Sequence, residues 1–133
     1  MEFQIDSASR TPIYRQLMAQ IREAVARGRM QAEERLPSVR DLSRQLVINP
    51  NTVARVYTEL EREGILNTRP GLGVFVAQPG TDLTRRARKD RLLTLVDSLL
   101  TEAVHLGFAA DDVLGMLSER MTKFQFTPAV GSQ

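Results

Sequence analysis

The sequence predicts a mainly α-helical protein with one small β-hairpin, and three observations support this fold class. Apolar residues recur at helical spacing along most of the chain. Prolines and glycines fall where helices would begin and end, and one glycine-containing turn separates two strand-like stretches. With 133 residues, 42% apolar and 26% charged, the chain has the composition of one folded domain or two small ones.

The composition excludes several classes of function. The chain has no cysteine and a single histidine, His105, so we expect neither thiol chemistry nor a metal site built on several histidines. No apolar run approaches the roughly 20 residues that a membrane span needs. Acidic Glu2 and Asp6 do not suit a signal peptide. We therefore expect a cytoplasmic protein without a cofactor, and the lack of a nucleophile or an acid–base pair argues against an enzyme.

The net charge of +2 conceals an uneven distribution. Residues 1–91 carry 16 Lys and Arg against 11 Asp and Glu, whereas residues 92–133 carry 2 against 5. Arginine dominates the basic part, and its guanidinium suits forked contacts with phosphates and base edges. Solvated helix faces explain most charged residues in most proteins, so the charge alone does not decide for nucleic acid.

Two helices are predicted in the first 48 residues. Thr11 suits an N-cap with Pro12 at the first helical position, and the amphipathic pattern that follows ends near Gly28. Ser38, followed three residues later by Asp41, resembles the capping box of a second, short helix. Residues 3–5 alternate like an edge strand.

The third predicted helix carries the most information. Asn49 suits its N-cap and Pro50 the next position, and the pattern continues to about Glu63 before Gly64. Its apolar residues cluster on one side, and Tyr57 among them is predicted to lie in the core. The opposite side is polar and carries Asn51, Thr52, Arg55, Thr58 and Arg62.

Two strand-like stretches, 65–69 and 74–77, flank a turn whose Gly71 and Gly73 supply the positive φ that a hairpin needs. Residues 78–81 have the composition of a linker, so we expect one domain at 1–78 and a second region at 79–133. A positive run from Arg85 to Arg91 is interpreted as a solvated helix start, with a secondary phosphate contact as the alternative. The last residues, 127–133, are expected to fray.

The second region has a broader apolar face than two short helices can bury against each other. We therefore predict a short C-terminal α-helical element that forms a homodimer, with an ordinary intramolecular core as the alternative. The residues expected at this interface are Leu92, Val96, Leu99, Leu100, Val104, Leu114 and Leu117.

The order of helix, helix, tight turn, helix and hairpin is that of a winged helix-turn-helix. In that architecture the helix after the turn enters the DNA major groove, and its N-terminal residues contact base edges. Asn51 and Thr52 are short hydrogen-bonding residues suited to this approach, and Arg55 follows one turn later.

Other residues suit contacts with the DNA backbone. Arg40 would cross a phosphate strand, and Arg69 flanks the hairpin tip, where Gly71 leaves room for close approach. For Arg55 and Arg69 an ion pair within the protein is the alternative. Asn49 is interpreted first as a helix cap, and a DNA contact is left open for it.

Four segments carry a resemblance to a known family. They are 36–42 (LPSVRDL), 49–53 (NPNTV), 57–64 (YTELEREG) and 71–76 (GLGVFV). In this order they resemble the GntR family of bacterial transcriptional regulators over about residues 12–76. The NPNTV form with a short tail is similar to its YtrA subfamily, in which the tail is a small helical dimerisation element.

The resemblance implies DNA contacts from Arg40, Asn49, Asn51, Thr52, Arg69 and Gly71. Pro50 stands where some relatives carry a base-reading arginine, so a different target sequence is expected. Glu33 stands where a turn glycine is common, which leaves the geometry of that turn open.

We therefore predict a homodimeric, sequence-specific regulator, a repressor, that binds an inverted-repeat operator in double-stranded DNA. Metal ions and membranes are not among its expected partners, and a small-molecule effector is left open. The alternative function is a winged-helix module for protein–protein assembly, which would need exposed apolar residues on the outer face of the third helix.

Overall fold

Seven elements follow one another in the part of the chain that the structure describes. The computed structural model describes residues 2–80 and 85–128. Its elements are α1 (Ile13–Ala26), α2 (Val39–Leu46), α3 (Pro50–Arg62), β1 (Leu66–Arg69), β2 (Gly73–Val76), α4 (Arg85–His105) and α5 (Ala110–Met121). The predicted fold class, mainly α with one small hairpin, is confirmed. The described residues divide into two compact units, the first within 1–79 and 126–133 and the second within 80–125.

Helix α1 begins one residue later than the sequence predicts. Pro12 is its N-cap, with φ −55° and ψ 147°, and no side chain caps the helix there. The carbonyl of Pro12 accepts hydrogen bonds from the N–H groups of Arg15 and Gln16, each at 3.1 Å. The fixed φ of proline suits an N-cap as well as the first helical position, so the sequence pattern does not separate the two.

The predicted edge strand at residues 3–5 is wrong, because glutamine side chains take the place of a neighbouring strand. Gln20 Oε1 accepts from the N–H of Gln4 at 2.9 Å, and Gln20 Nε2 donates to the Gln4 carbonyl at 2.6 Å. Gln16 binds the N–H and carbonyl of Asp6 in the same way. Two amides one helical turn apart therefore satisfy the extended N-terminal backbone and hold it against α1.

Helices α2 and α3 are joined by a tight turn, and both predicted caps are confirmed. Ser38 Oγ accepts from the N–H of Asp41 at 3.0 Å, and Asn49 Oδ1 accepts from the N–H of Asn51 at 2.8 Å. Between the helices Val47 has φ 54° and ψ 53°, the left-handed region, with 89% of the residue exposed. A β-branched residue rarely adopts this conformation, so the turn is strained at Val47.

The wing is a two-stranded antiparallel hairpin with a third chain segment along its second edge. β1 and β2 pair from Leu66 with Val76 to Arg69 with Gly73. Along the other edge of β2, the backbone of residues 33–36, the connector before α2, forms three hydrogen bonds with the backbone of the strand, at 2.8–2.9 Å. Local sequence patterns do not predict this pairing, because residues 33–36 and their partners in β2 lie about forty residues apart along the chain.

The core of the first unit lies where α1, α2, α3 and the hairpin pack. Its largest fully buried side chains are Leu17, Ile21, Leu42, Leu60, Leu66, Val53, Val56 and Val76. The predicted core position of Tyr57 is confirmed: 5% of the residue is exposed, and its hydroxyl donates to the Pro37 carbonyl at 2.6 Å. This packing fixes α3, so that the polar side of the helix faces solvent.

The second unit contains two helices whose apolar side chains are largely exposed in the single chain. α4 begins at Arg85, and the positive run to Arg91 is solvated, as predicted. Exposure is 61% for Leu92, 42% for Leu99, 44% for Leu100, 73% for Val104 and 63% for Leu114, whereas Val96 and Leu117 are half-buried. The predicted dimer interface and the boundary near residue 78 stay predictions. Residues 81–84 and 129–133, with the end of the predicted linker and most of the predicted frayed tail, lie outside the described residues.

Candidate nucleic-acid interface

The first turn of α3 presents polar side chains to solvent. Asn49 uses its side-chain oxygen to cap the helix, as the sequence predicts. Asn51 is exposed and Thr52 half-buried. In residues 2–80 and 85–128, neither the side-chain amide of Asn51 nor the hydroxyl of Thr52 has a hydrogen-bond partner, so both groups are available to a ligand.

Arg40 lies in the first turn of α2 with its side chain exposed. Its carbonyl accepts from the Ser43 hydroxyl at 2.9 Å, which anchors the helix backbone. The ion pairs of the described residues do not include Arg40. Its full positive charge is therefore open to an anion.

The guanidinium of Arg55 on α3 lies over the aromatic ring of Tyr14 on α1. Its guanidinium carbon lies 3.9 Å from the centroid of the Tyr14 ring, a cation–π distance. Arg15 Nε donates to the Tyr14 hydroxyl at 3.2 Å. That hydrogen bond, and the positive charges of Arg15 and Arg55, lower the pKa of Tyr14 from its ordinary value of 10.0 against the smaller opposing effect of burial.

These side chains line an open depression of about 380 Å³ between α1 and α3. Its lining residues are Tyr14, Arg15, Met18, Arg22, Arg55 and Glu59.

Arg69 of the wing is engaged within the protein. Its guanidinium pairs with the Glu33 carboxylate and lies 4.2 Å from the centroid of the Phe75 ring. Gly71 at the wing tip has φ 76° and is exposed, and a Cβ added there meets no atom within 4 Å. Gly71 is therefore required by backbone conformation rather than by space, while the tip stays open to a partner.

The sequence interpretation missed two residues at this interface. The sequence pattern does not place Tyr14 at the interface, and it relates Glu33 only to the geometry of a turn. Glu33 adopts φ 73°, the conformation that a turn glycine favours, and uses its side chain to hold Arg69. The absence of glycine at this position was the only signal in the sequence.

Among the described residues, no group of three histidine, aspartate or glutamate side chains is placed to hold a metal ion. Of the helices in residues 2–80 and 85–128, none combines the length and apolar character that crossing a membrane requires.

The helix-turn-helix, its exposed polar turn and the wing define a protein of the winged helix-turn-helix class. The model of bacterial regulatory proteins of the gntR family matches residues 13–76. The chain is 36% identical over 104 residues to the HTH-type transcriptional repressor YtrA of Bacillus subtilis, covering 78% of this chain and 80% of that protein. The chain belongs to the GntR family of transcriptional regulators, and the predicted resemblance to YtrA is confirmed.

Solved structures agree with this assignment. A transcriptional antiterminator from Listeria monocytogenes is similar in structure, with a TM-score of 0.71 and 30% identity over 90% of this chain and 89% of that one. YtrA from Sulfolobus acidocaldarius, a GntR-family transcription factor, is also similar, with a TM-score of 0.58 and 30% identity over 74% of this chain and 97% of that one. The names of these relatives describe regulators of transcription rather than enzymes.

Proposed function

We propose that this protein is a cytoplasmic repressor that binds a specific inverted-repeat operator in double-stranded DNA as a homodimer. The observation that carries the proposal is the first turn of α3, where Asn51 and Thr52 present unpaired hydrogen-bonding groups to solvent. A helix with short polar side chains at its N-terminus can enter the major groove and reach base edges. The assembly-module alternative is disfavoured, because the solvent side of α3 is polar.

Base recognition and backbone binding fall to different residues in this proposal. Asn51 and Thr52 contact bases, since Asn can form two hydrogen bonds with adenine and Thr can bond to several bases or touch a thymine methyl group. The residues assigned to phosphates and the groove edge are Arg40, Asn49, Arg55, Arg69 and Gly71. Phosphate contacts set the register and supply the salt-dependent part of the affinity.

The homodimer is supported by the apolar surface of the second unit. Side chains as large as Leu92, Leu114 and Val104 are more than 60% exposed in the single chain. Burial of apolar surface stabilises association by roughly 25 cal/mol per Å² before the cost of association is subtracted. A two-fold dimer places two copies of α3 on the two halves of an inverted repeat.

Repression is supported by the similarity to YtrA of Bacillus subtilis, which is a transcriptional repressor. A dimer bound across a promoter blocks access of RNA polymerase to the same DNA. An in vitro transcription reaction on a template carrying the bound site measures this directly, and we expect less transcript as the protein is added. More transcript would contradict repression while leaving DNA binding intact.

Selection of bound duplexes from a random pool with the full chain tests the central proposal. We expect enrichment of an inverted repeat whose half-site centres lie about 34–36 Å apart, or a multiple of this distance. Enrichment of a single, unrepeated site would contradict the dimeric mode. No enrichment above the starting pool would contradict sequence-specific binding and favour the assembly module.

Substitution of Leu99 by Glu in the full chain tests the dimer, because a charge buried in an apolar interface is strongly unfavourable. The matched control is Thr101→Glu, which lies about 200° around the same helix. Analytical ultracentrifugation should show a dimer for the natural chain and the control, and a monomer for Leu99→Glu. A dimer for all three would remove Leu99 from the interface.

A further inference from the structure

Tyr14 of α1 and Arg55 of α3 form a cation–π contact between the two helices. Tyr14 lies in the first turn of α1 with its ring half-buried, and Arg55 lies in the second turn of α3 with its side chain exposed. The Arg55 guanidinium covers the ring at 3.9 Å, and the guanidinium carbon of Arg15 lies 5.8 Å from the same ring centroid. Two guanidinium groups, one from each helix, therefore lie close to the Tyr14 ring.

Among the described residues, neither of the two positive charges beside Tyr14 forms an ion pair with a carboxylate. Glu59, which lines the same depression, pairs with Arg62 at 2.9 Å, and Arg22 pairs with Glu63. None of the ion pairs in the described ranges includes Arg15 or Arg55. Two like charges beside one ring repel each other, so an anion bound between them lowers the electrostatic energy.

The cluster lies beside the face proposed to enter the DNA groove. Arg55 is four residues after Asn51 and three after Thr52, a spacing that places all three on one side of a helix. When such a helix lies in the major groove, sugar-phosphate strands run along both of its sides. The charges beside Tyr14 are therefore in a position to meet a phosphate.

We propose that Tyr14, Arg15 and Arg55 form a binding site for one backbone phosphate of DNA, with Tyr14 as the residue that positions Arg55. The inference rests on the proposed DNA-binding function and adds α1 to the contact surface. Arginine offers forked donors to phosphate oxygens, and the Tyr14 hydroxyl, which accepts from Arg15, keeps its own proton to donate. The lowered pKa of Tyr14 makes that hydroxyl a stronger donor.

Fluorescence anisotropy of a labelled, mixed-sequence duplex, titrated with the full chain at several KCl concentrations, tests the site. Arg15→Ala and Arg55→Ala should each weaken binding about tenfold at low salt. Each should also reduce the slope of log affinity against log salt by about one. The matched control is Arg29→Ala, which removes the same charge from an exposed position beyond the other end of α1.

A double-substitution cycle tests the positioning role of Tyr14. Tyr14→Phe keeps the ring under Arg55, so adding Arg55→Ala should cost as much affinity as it does in the natural chain. Tyr14→Leu removes the ring, so adding Arg55→Ala should cost little more. Thermal unfolding followed by circular dichroism verifies that each variant is folded, and the exposed arginine variants keep the test decisive if Tyr14→Leu does not fold.

The outcomes separate this inference from the proposed function. If the natural chain binds no duplex, both fall. If Arg40→Ala weakens binding while Arg15→Ala and Arg55→Ala match Arg29→Ala, the phosphate site is overturned and the proposed function stands. If Arg55→Ala costs the same in the Phe and Leu backgrounds, Tyr14 does not position Arg55.

Discussion

The carboxylate of Glu33 forms an ion pair with the guanidinium of Arg69, which joins the connector before α2 to the first strand of the wing. Both side chains are partly exposed, at 47% for Glu33 and 36% for Arg69. An exposed pair of this kind contributes at most about 1 kcal/mol to stability, so its main effect is on where the Arg69 charge is directed. A phosphate that reaches the wing must compete with the Glu33 carboxylate for this arginine.

We therefore expect Glu33→Gln to increase affinity for DNA. The substitution keeps the side-chain shape and removes the competing charge, so Arg69 becomes free to bind phosphate. Affinity for a mixed-sequence duplex should rise several-fold, and the salt slope should steepen by about one. Anisotropy titrations at several KCl concentrations measure both quantities.

The matched control for this prediction is Glu23→Gln. Glu23 is also exposed and pairs with an arginine, Arg27, but both lie on α1 or next to its C-terminal end. The substitution Glu23→Gln makes the same change in net charge as Glu33→Gln and leaves the wing unaltered. Equal gains for the two variants would mean that overall charge, and not the release of Arg69, raises the affinity.

Asn51→Ala and Arg40→Ala should have different effects on the affinity for operator and random DNA. Asn51→Ala is expected to cost roughly 1–3 kcal/mol on the selected operator and much less on random DNA, because it removes a base contact. Arg40→Ala should weaken both duplexes alike and reduce the salt slope by about one. Parallel titrations on the two duplexes measure the contrast, and equal losses on both for Asn51→Ala would remove it from base recognition.

Val47→Gly should stabilise the protein. The left-handed conformation of Val47 costs about 1–2 kcal/mol in an L-residue, and glycine adopts it without this cost. Part of the gain is offset because glycine loses more conformational entropy on folding. Since Val47 is 89% exposed, its removal loses almost no buried surface. We expect the free energy of unfolding to rise by about 0.5–1 kcal/mol.

Denaturant unfolding at one fixed protein concentration measures this change, because dimer formation would otherwise alter the apparent stability. Val47→Ala serves as the control, since alanine keeps the Cβ atom that makes the conformation unfavourable. A gain for alanine equal to that for glycine would show that the strained backbone is not the cause.

Much of the fold follows from short-range patterns in the sequence. The caps at Ser38 and Asn49, the amphipathic stripe of α1 and the hairpin around Gly71 are all determined by residues within a few positions of one another. Such local signals identify element type and order well, and they leave the bounds uncertain by a residue or two, as at Pro12.

What the sequence does not predict depends on partners that are distant along the chain. Arg69 meets Glu33 from 36 residues away, and Arg55 covers a ring on another helix. Both contacts follow from the way the elements pack, which no periodicity encodes. The same holds for Gln16 and Gln20, whose amides replace a strand partner for the N-terminal segment.

The two tyrosines of the chain should titrate far apart. The hydrogen bond from Arg15 lowers the pKa of Tyr14 below 10.0, whereas burial raises the pKa of Tyr57 well above that value. Phenolate absorbance in the near ultraviolet should therefore rise in two steps of equal size. The first step should occur below pH 10 in the folded protein, and Tyr14→Phe should abolish it.

The second step should coincide with unfolding. The pKa of Tyr57 is higher in the folded state than in the unfolded state, where it is about 10. Its contribution to stability is therefore complete below about pH 10 and is lost as the pH rises further, since ionisation then favours the unfolded chain. Circular dichroism recorded along the same titration should lose helical signal together with the second absorbance step. If Tyr57 ionised while the helical signal stayed constant, its hydroxyl would be more accessible to water than its burial and its hydrogen bond to the Pro37 carbonyl imply.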